Sequence, residues 1–164
     1  VELILQGTNL IEFLTPEQSE NGTIMINRVG KHNFDAHTHS LPKNRINTFI
    51  NYKKNKSKYS LIARYLDGYI NNRTISSKAL SLGYKNKVDS SLIFDISLEL
   101  PISQYLQINN NSGDYDLKTS IGIINLFDEK APRLYNAPDF SWDSRLHDPR
   151  GRMIRVNFQL IFDN

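Results

Sequence analysis

The chain has 164 residues, 20 Lys and Arg against 17 Asp and Glu, a formal net charge of +3, and no Cys. Disulfide frameworks and thiolate metal sites are thereby excluded, and no run of about eighteen apolar residues exists to form a membrane-spanning helix. The positive charge is dispersed, and its one short run, KKNKSK at 53–58, has the composition of a solvated turn, so no nucleic-acid partner is expected.

Period-two alternation recurs along the chain, whereas helical periodicity is hard to find. Residues 1–11 and 23–33 read as strands joined through TPEQSENG at 15–22. A polar connection at 35–44 leads to a weaker run at 45–52, where Phe49 interrupts the polar side. NKSK at 55–58 is a tight hairpin into 59–69, where Tyr59, Leu61, Ala63 and Tyr65 oppose Ser60 and Arg64. After a connection at 71–87 comes the clearest strand, 88–100: Leu92, Phe94, Ile96, Leu98 and Leu100 oppose Asp89, Ile93, Asp95, Ser97 and Glu99. A turn at 109–113 separates it from 117–127, where Leu117, Thr119, Ile121 and Ile123 oppose Lys118, Ser120 and Gly122. The longest connection, 128–152, is rich in Pro and Asp and precedes a final run, 153–162, that sets Ile154, Val156, Phe158, Leu160 and Phe162 against Arg155, Asn157 and Gln159.

The fold class expected from this pattern is all-β, an antiparallel meander of about 6–7 amphipathic strands with long connections at one end and short ones at the other. In water such a sheet needs a second layer over its apolar face, which gives a soluble antiparallel β-sandwich binding a ligand or partner through its long loops. In a membrane the same face meets lipid and the polar face lines a lumen, with Tyr52, Tyr59, Tyr65 and Tyr69 suited to an interfacial girdle. Alternation alone is compatible with both.

Candidate functional residues lie in the connections. His32, Asp35, His37 and His39 cluster in HNFDAHTH, a pattern that can present imidazoles to a ligand but in a loop of this composition also reads as solvated histidines. Trp142, Arg145, His147, Arg150 and Arg152 lie in the longest connection, where aromatic and guanidinium groups can hold a ligand. Asp89, Asp95 and Glu99 share one face but stand about 13 Å or more apart along a strand, too far for a carboxylate pair. Arg64 is expected to neutralise Asp95 across the ladder. With no nucleophile motif, phosphate loop or spaced ligand set, no enzyme activity, metal or cofactor is expected.

Several segments resemble the C-terminal part of the barrel of TonB-dependent outer-membrane receptors. SIGIINLFDEKAP at 120–132 looks like the family strand that ends in NLFD before an acidic loop. LHDPRGR at 146–152 looks like the segment leading into its last strand, and Phe162 sits where the family places its terminal aromatic residue, here followed by Asp163 and Asn164. LPKNR at 41–45, ARYLDGY at 63–69 and VDS at 88–90 are similar to recurring barrel segments, so the likeness spans about 27–162. It implies that residues 1–164 are the C-terminal part of a 22-stranded transmembrane β-barrel, without the plug domain, the TonB box and the N-terminal strands. The implied localisation is the outer membrane of a Gram-negative bacterium. The implied role is TonB-energised uptake of an extracellular ligand of the siderophore or metal-chelate, cobalamin or carbohydrate class. The implied partners are membrane lipid, the rest of the barrel and plug, the TonB complex and that ligand. On this reading 35–44, 71–87 and 128–152 are extracellular, and 55–58 and the turn near Asn109 periplasmic. Weak ligand-binding candidates are His32, His37, His39, Trp142 and Arg145. Asp148, Arg150, Gly151 and Arg152 pin the longest loop to the rim, and Phe162 marks the periplasmic rim.

Overall fold

A computed structural model describes residues 1–33, 39–102, 115–136 and 141–162 of the chain. The principal element is a six-stranded sheet, antiparallel throughout, of β1 (Glu2–Asn9), β4 (Asn44–Lys54), β5 (Ser57–Leu66), β8 (Ser91–Pro101), β9 (Tyr115–Ile124) and β10 (Met153–Phe162), paired in that order. The sheet is open, with β1 and β10 as its edges. Two small pairs lie within the long connections: β2 (Leu14–Ser19) with β3 (Gly22–Asn27), and β6 (Tyr69–Ile70) with β7 (Lys87–Val88). A short helix, α1 (Ser77–Ser81), is capped by Ser76, whose side chain accepts from the Ala79 amide. Among the described residues no helix is long and apolar enough to cross a membrane.

Register makes the alternation of each strand into two continuous faces. Leu3, Ile50, Leu61, Ile96, Ile123 and Ile154 are successive cross-strand partners, so one unbroken aliphatic row crosses all six strands. One residue along, Glu2, Asn51, Ser60, Ser97, Gly122 and Arg155 form the matching row on the other face. That row is partly self-bonded: the Asn51 amide donates to Glu2 at 3.0 Å and the Ser60 hydroxyl to Asn51 at 2.7 Å. A one-residue slip would exchange the faces of a strand, so the pattern fixes the register.

No second layer covers the aliphatic face among the described residues. Ile96, central in the sheet, is 37% exposed, and Ile154 and Phe158 on β10 are 72% and 71% exposed. Proline aside, the buried apolar side chains among the described residues are Tyr69, Ala79, Val88 and Leu134, none of them in the six-stranded sheet. Core packing therefore sits beyond one end of the strands, where the connections 10–43, 67–90 and 125–152 meet.

Three sequence expectations change. Residues 23–33 do not add a seventh strand to the sheet; β3 pairs with β2 as a hairpin inside the first connection, and β1 pairs directly with β4. The runs 59–69 and 88–100 stop short at that end, since β5 closes at Leu66 and β8 opens at Ser91. Gly68 explains the break: a Cβ there would come within 2.6 Å of the Val88 carbonyl oxygen, an approach that only glycine permits. Tyr69 consequently leaves the expected girdle and becomes, with Val88 and Leu134, the core of the loop cluster. Tyr52 and Tyr59 do stand together at the short-turn end, with ring centroids 5.8 Å apart.

Candidate functional site

Two features hold chemistry: the polar sheet face and the cap built by the three long connections. On the sheet, Arg64 Nη2 reaches Asp95 Oδ2 at 2.8 Å, the pair expected across the ladder. Asp95 Oδ1 also accepts from the Asn125 amide at 2.8 Å, so this carboxylate ties the start of the third connection to the sheet. A hollow of about 400 Å³ on this face is lined by Lys58, Ser60, Asp95, Ser97, Glu99, Ser120 and Arg155 among others, a mixture of both charges.

The chain leaves β9 through a turn written by NLFDE. Asn125 takes a left-handed φ of 57°, and its buried side chain accepts from the Glu129 amide at 2.8 Å and donates to the Glu129 carbonyl at 2.9 Å. It returns through DPRGR. Asp148 Oδ1 accepts from the Arg150 amide at 3.0 Å, and the Arg150 guanidinium lies on the same carboxylate at 2.7–3.1 Å. The Arg150 contact holds the Asp148 carboxyl down at about 2. Asp128 Oδ1 accepts from the Arg152 amide at 2.9 Å, joining the two turns; its carboxyl is held low by Lys130 and then by that amide. Gly151 sits at a φ of 72°, where a Cβ would come within 2.5 Å of Asp128 Oδ1. Asp148, Arg150, Gly151 and Arg152 thus lie in one staple at the base of the third connection.

Above this base the connections share backbone and side-chain bonds. The His32 amide donates to the Ile70 carbonyl and the Ile70 amide to Gly30 at 2.9 and 2.8 Å. The side-chain amide of Asn71 donates to the Tyr135 carbonyl at 3.1 Å. Asn33, fully buried with a φ of 58°, donates to the carbonyls of Arg28, Lys31 and His39. Buried Arg28 is met by Glu17 and by the Thr15 hydroxyl, both at 2.6 Å.

At the centre is a buried polar chain. Ser40 Oγ donates to Asp143 Oδ2 at 2.5 Å, which leaves its lone pairs to receive His32 Nδ1 at 2.8 Å. The acceptor role of the hydroxyl requires a proton on His32 Nδ1. Asp143 Oδ1 accepts from the Arg145 amide, and the Asp143 carbonyl from the His147 amide, both at 3.0 Å. Tyr69 stacks on His147 at 6.3 Å between centroids with a 16° interplanar angle. Burial pushes the Tyr69 phenol up, with Asp143 adding to the rise and the Ser40 hydroxyl opposing it. Burial pushes His147 down, opposed by Asp143.

The order imidazole, hydroxyl, carboxylate differs from a nucleophile–base–orienter arrangement, because the serine proton is committed to the carboxylate and the hydroxyl is buried. Its chemistry is that of a joint. No group of three or more His, Cys, Asp or Glu suited to a metal ion occurs among the described residues.

The sequence candidates separate accordingly. His32 is buried in the joint rather than solvated, because Ser40 and Asp143 supply polar partners inside the cap. His39 is exposed and its Nδ1 accepts from Arg145 Nη1 at 2.7 Å, so these two do meet at the cap surface. Trp142 is half-buried beside Asp143 in sequence. Asp35, His37 and the turn at 109–113 lie outside the described residues, as do Asp163 and Asn164; the Phe162 backbone pairs with Tyr115. Ser40 and Asp143 were not expected, and no sequence signal marks them, being 103 residues apart; Tyr69 was expected in an interfacial girdle and not at this joint.

Neither a family model, nor a curated protein, nor a solved structure matches the chain.

Proposed function

We propose that the chain is the C-terminal part of the barrel wall of a TonB-dependent outer-membrane receptor, with the aliphatic face toward lipid and the polar face toward the lumen. The observation that carries this reading is the bare aliphatic row across six paired strands, beside a cap that holds the buried Tyr69, Ala79, Val88 and Leu134. In water that face is an aggregation hazard; in lipid it is the expected exterior of a barrel. Strand length agrees, since β4, β5, β8, β9 and β10 have 10 or 11 residues, and a tilted membrane strand needs about 9–11. The open edges of β1 and β10 are read as the places where the rest of a wall of about 22 strands continues.

On this reading the capped connections face outward, and 55–58 faces the periplasm. The receptor takes up an extracellular ligand of the siderophore or metal-chelate, cobalamin or carbohydrate class, driven by TonB through a plug carried elsewhere in the protein. Residues 1–164 supply wall, lumen surface and outer loops, and perform no catalysis. A soluble sandwich needs a layer over Ile50, Leu61, Ile96 and Ile123, which the described residues do not provide.

Fractionation of the native protein tests the proposal. Recovery in the membrane, resistant to salt and alkaline washing and released by detergent, is expected; recovery as a water-soluble monomer would sink it.

A further inference from the structure

We propose that the buried joint of the cap is a proton-sensitive clasp, opened by protonation of His147. All three connections converge on it. His32 and Ser40 come from 10–43, Tyr69 from 67–90, and Asp143 and His147 from 125–152. His147 is 6% exposed, its ring is stacked on Tyr69, and its Nε2 finds no hydrogen-bond partner among the described residues. A proton added at Nε2 places a cation in an enclosed site without an acceptor, which disfavours the closed cap. Opening returns the imidazole to water, where it titrates near its ordinary value of about 6.5.

The charges around the ring set the balance. Asp143, four residues earlier on the same connection, favours the proton and opposes the effect, as the downward shift of His147 under burial and the upward pull of Asp143 express. From 67–90 the ring meets the Tyr69 phenol, which stays neutral. From 10–43 the titratable group is His32, whose Nδ1 lies 3.8 Å from Asp143 Oδ2. The Ser40 hydroxyl between them directs its proton to Asp143. The unpartnered Nε2 and the ring stacked on Tyr69 assign acid opening to His147, on the third connection.

The sign follows from linkage. Where the closed state binds the proton more weakly than the open one, closure is full above pH about 6.5 and is lost as pH falls below it.

Hydrogen exchange on the full protein in detergent micelles, at pH 7.5 and 5.0 and corrected for intrinsic rates, reads the clasp at the amides of His32, Ile70 and Asn71. These bond to Ile70, Gly30 and Asn86. Cap opening is expected to rise at least threefold, with a ceiling of about thirtyfold set by protonation of a free imidazole at pH 5.0, while the β5–β8 ladder stays unchanged. His147→Phe keeps a ring against Tyr69 and removes the base, so its cap should show no pH response; if that variant does not assemble, His147→Gln serves. Equal opening at both pH values in the native protein overturns the proposal. So does a response that survives the His147 substitution, or one abolished by His32→Gln alone, which would assign the proton to His32.

Discussion

Placing one arginine on each face of the same strand separates a lipid-facing wall from a sheet bathed in water. Ile96 is the midpoint of β8 and lies in the aliphatic row between Leu61 and Ile123; Ser97, one residue on, lies in the polar row between Ser60 and Gly122. Ile96 is already 37% exposed, so in water Ile96→Arg removes little packing and adds a solvated charge. Its expected cost there is within about 0.5 kcal/mol, the usual range of a surface substitution. At the centre of a bilayer the same substitution costs about 2–4 kcal/mol, a factor of about thirty to several hundred in the folding equilibrium. Ser97→Arg points to the lumen and is expected to change stability by less than about 1 kcal/mol in either setting. The assay is reversible folding of the full protein into lipid vesicles, titrated with guanidinium and followed by the shift in electrophoretic mobility of the folded barrel. A destabilisation of at least about 2 kcal/mol for Ile96→Arg, with Ser97→Arg near native, is the predicted outcome. Equal effects of the two, or a neutral Ile96→Arg, would refute the assignment of faces.

Gly151→Ala should loosen the base of the third connection by about 1–3 kcal/mol, because it combines a left-handed φ with a Cβ at 2.5 Å from Asp128 Oδ1, whereas Gly30→Ala, at a φ of 73° with open space around it, should cost less; protease nicking of the loop reads both. Asp95→Ala should cost about 1–2 kcal/mol through the abandoned Asn125 amide, and Arg64→Ala less than about 1, since the Arg64 side chain is 44% exposed and its ion pair is screened; a double-mutant cycle in the folding titration reads the difference. Asp148→Asn should lower loop stability by less than about 1 kcal/mol at neutral pH, discounted because the carboxylate is 43% exposed. The folded carboxyl sits at about 2, below the ordinary carboxylate range, so the native advantage is full above pH about 4 and lost as pH falls through the lower value. Native protein and variant should therefore nick alike in strong acid.

The sheet was legible because β5, β8, β9 and β10 alternate over ten or eleven residues and register then follows from keeping one face apolar. The strand ends were less so. Residues 67–69 and 88–90 extend the sequence runs past the sheet, and what stops the strands is the close approach of Gly68 to Val88, a contact between two segments twenty residues apart in the chain. Residues 23–27 read as a strand, yet close on β2 within the first connection, since a local hairpin needs a shorter loop than a pairing across the connection. The staple was visible in part: DPRGR announces a carboxylate, a guanidinium and a turn glycine, but its partner Asp128 is 24 residues away from Arg152. The buried joint was legible only as separate histidine candidates, His32 and His147. Its members are common residue types from three connections, and only the folded cap brings Ser40, Asp143 and His32 together.

The central claim is that the aliphatic row faces lipid, and the absence of Cys from all 164 residues allows it to be measured directly. Single cysteines placed in turn from residue 92 to residue 100 of the full protein, spin-labelled and reconstituted in bilayers, report collision with oxygen, concentrated in lipid, against a water-soluble nickel chelate. Oxygen accessibility should peak at 92, 94, 96, 98 and 100 and the chelate should reach only the alternate positions. Chelate accessibility at 94, 96 and 98, or quenched collisions with both reagents there from a packed second layer, would contradict the account.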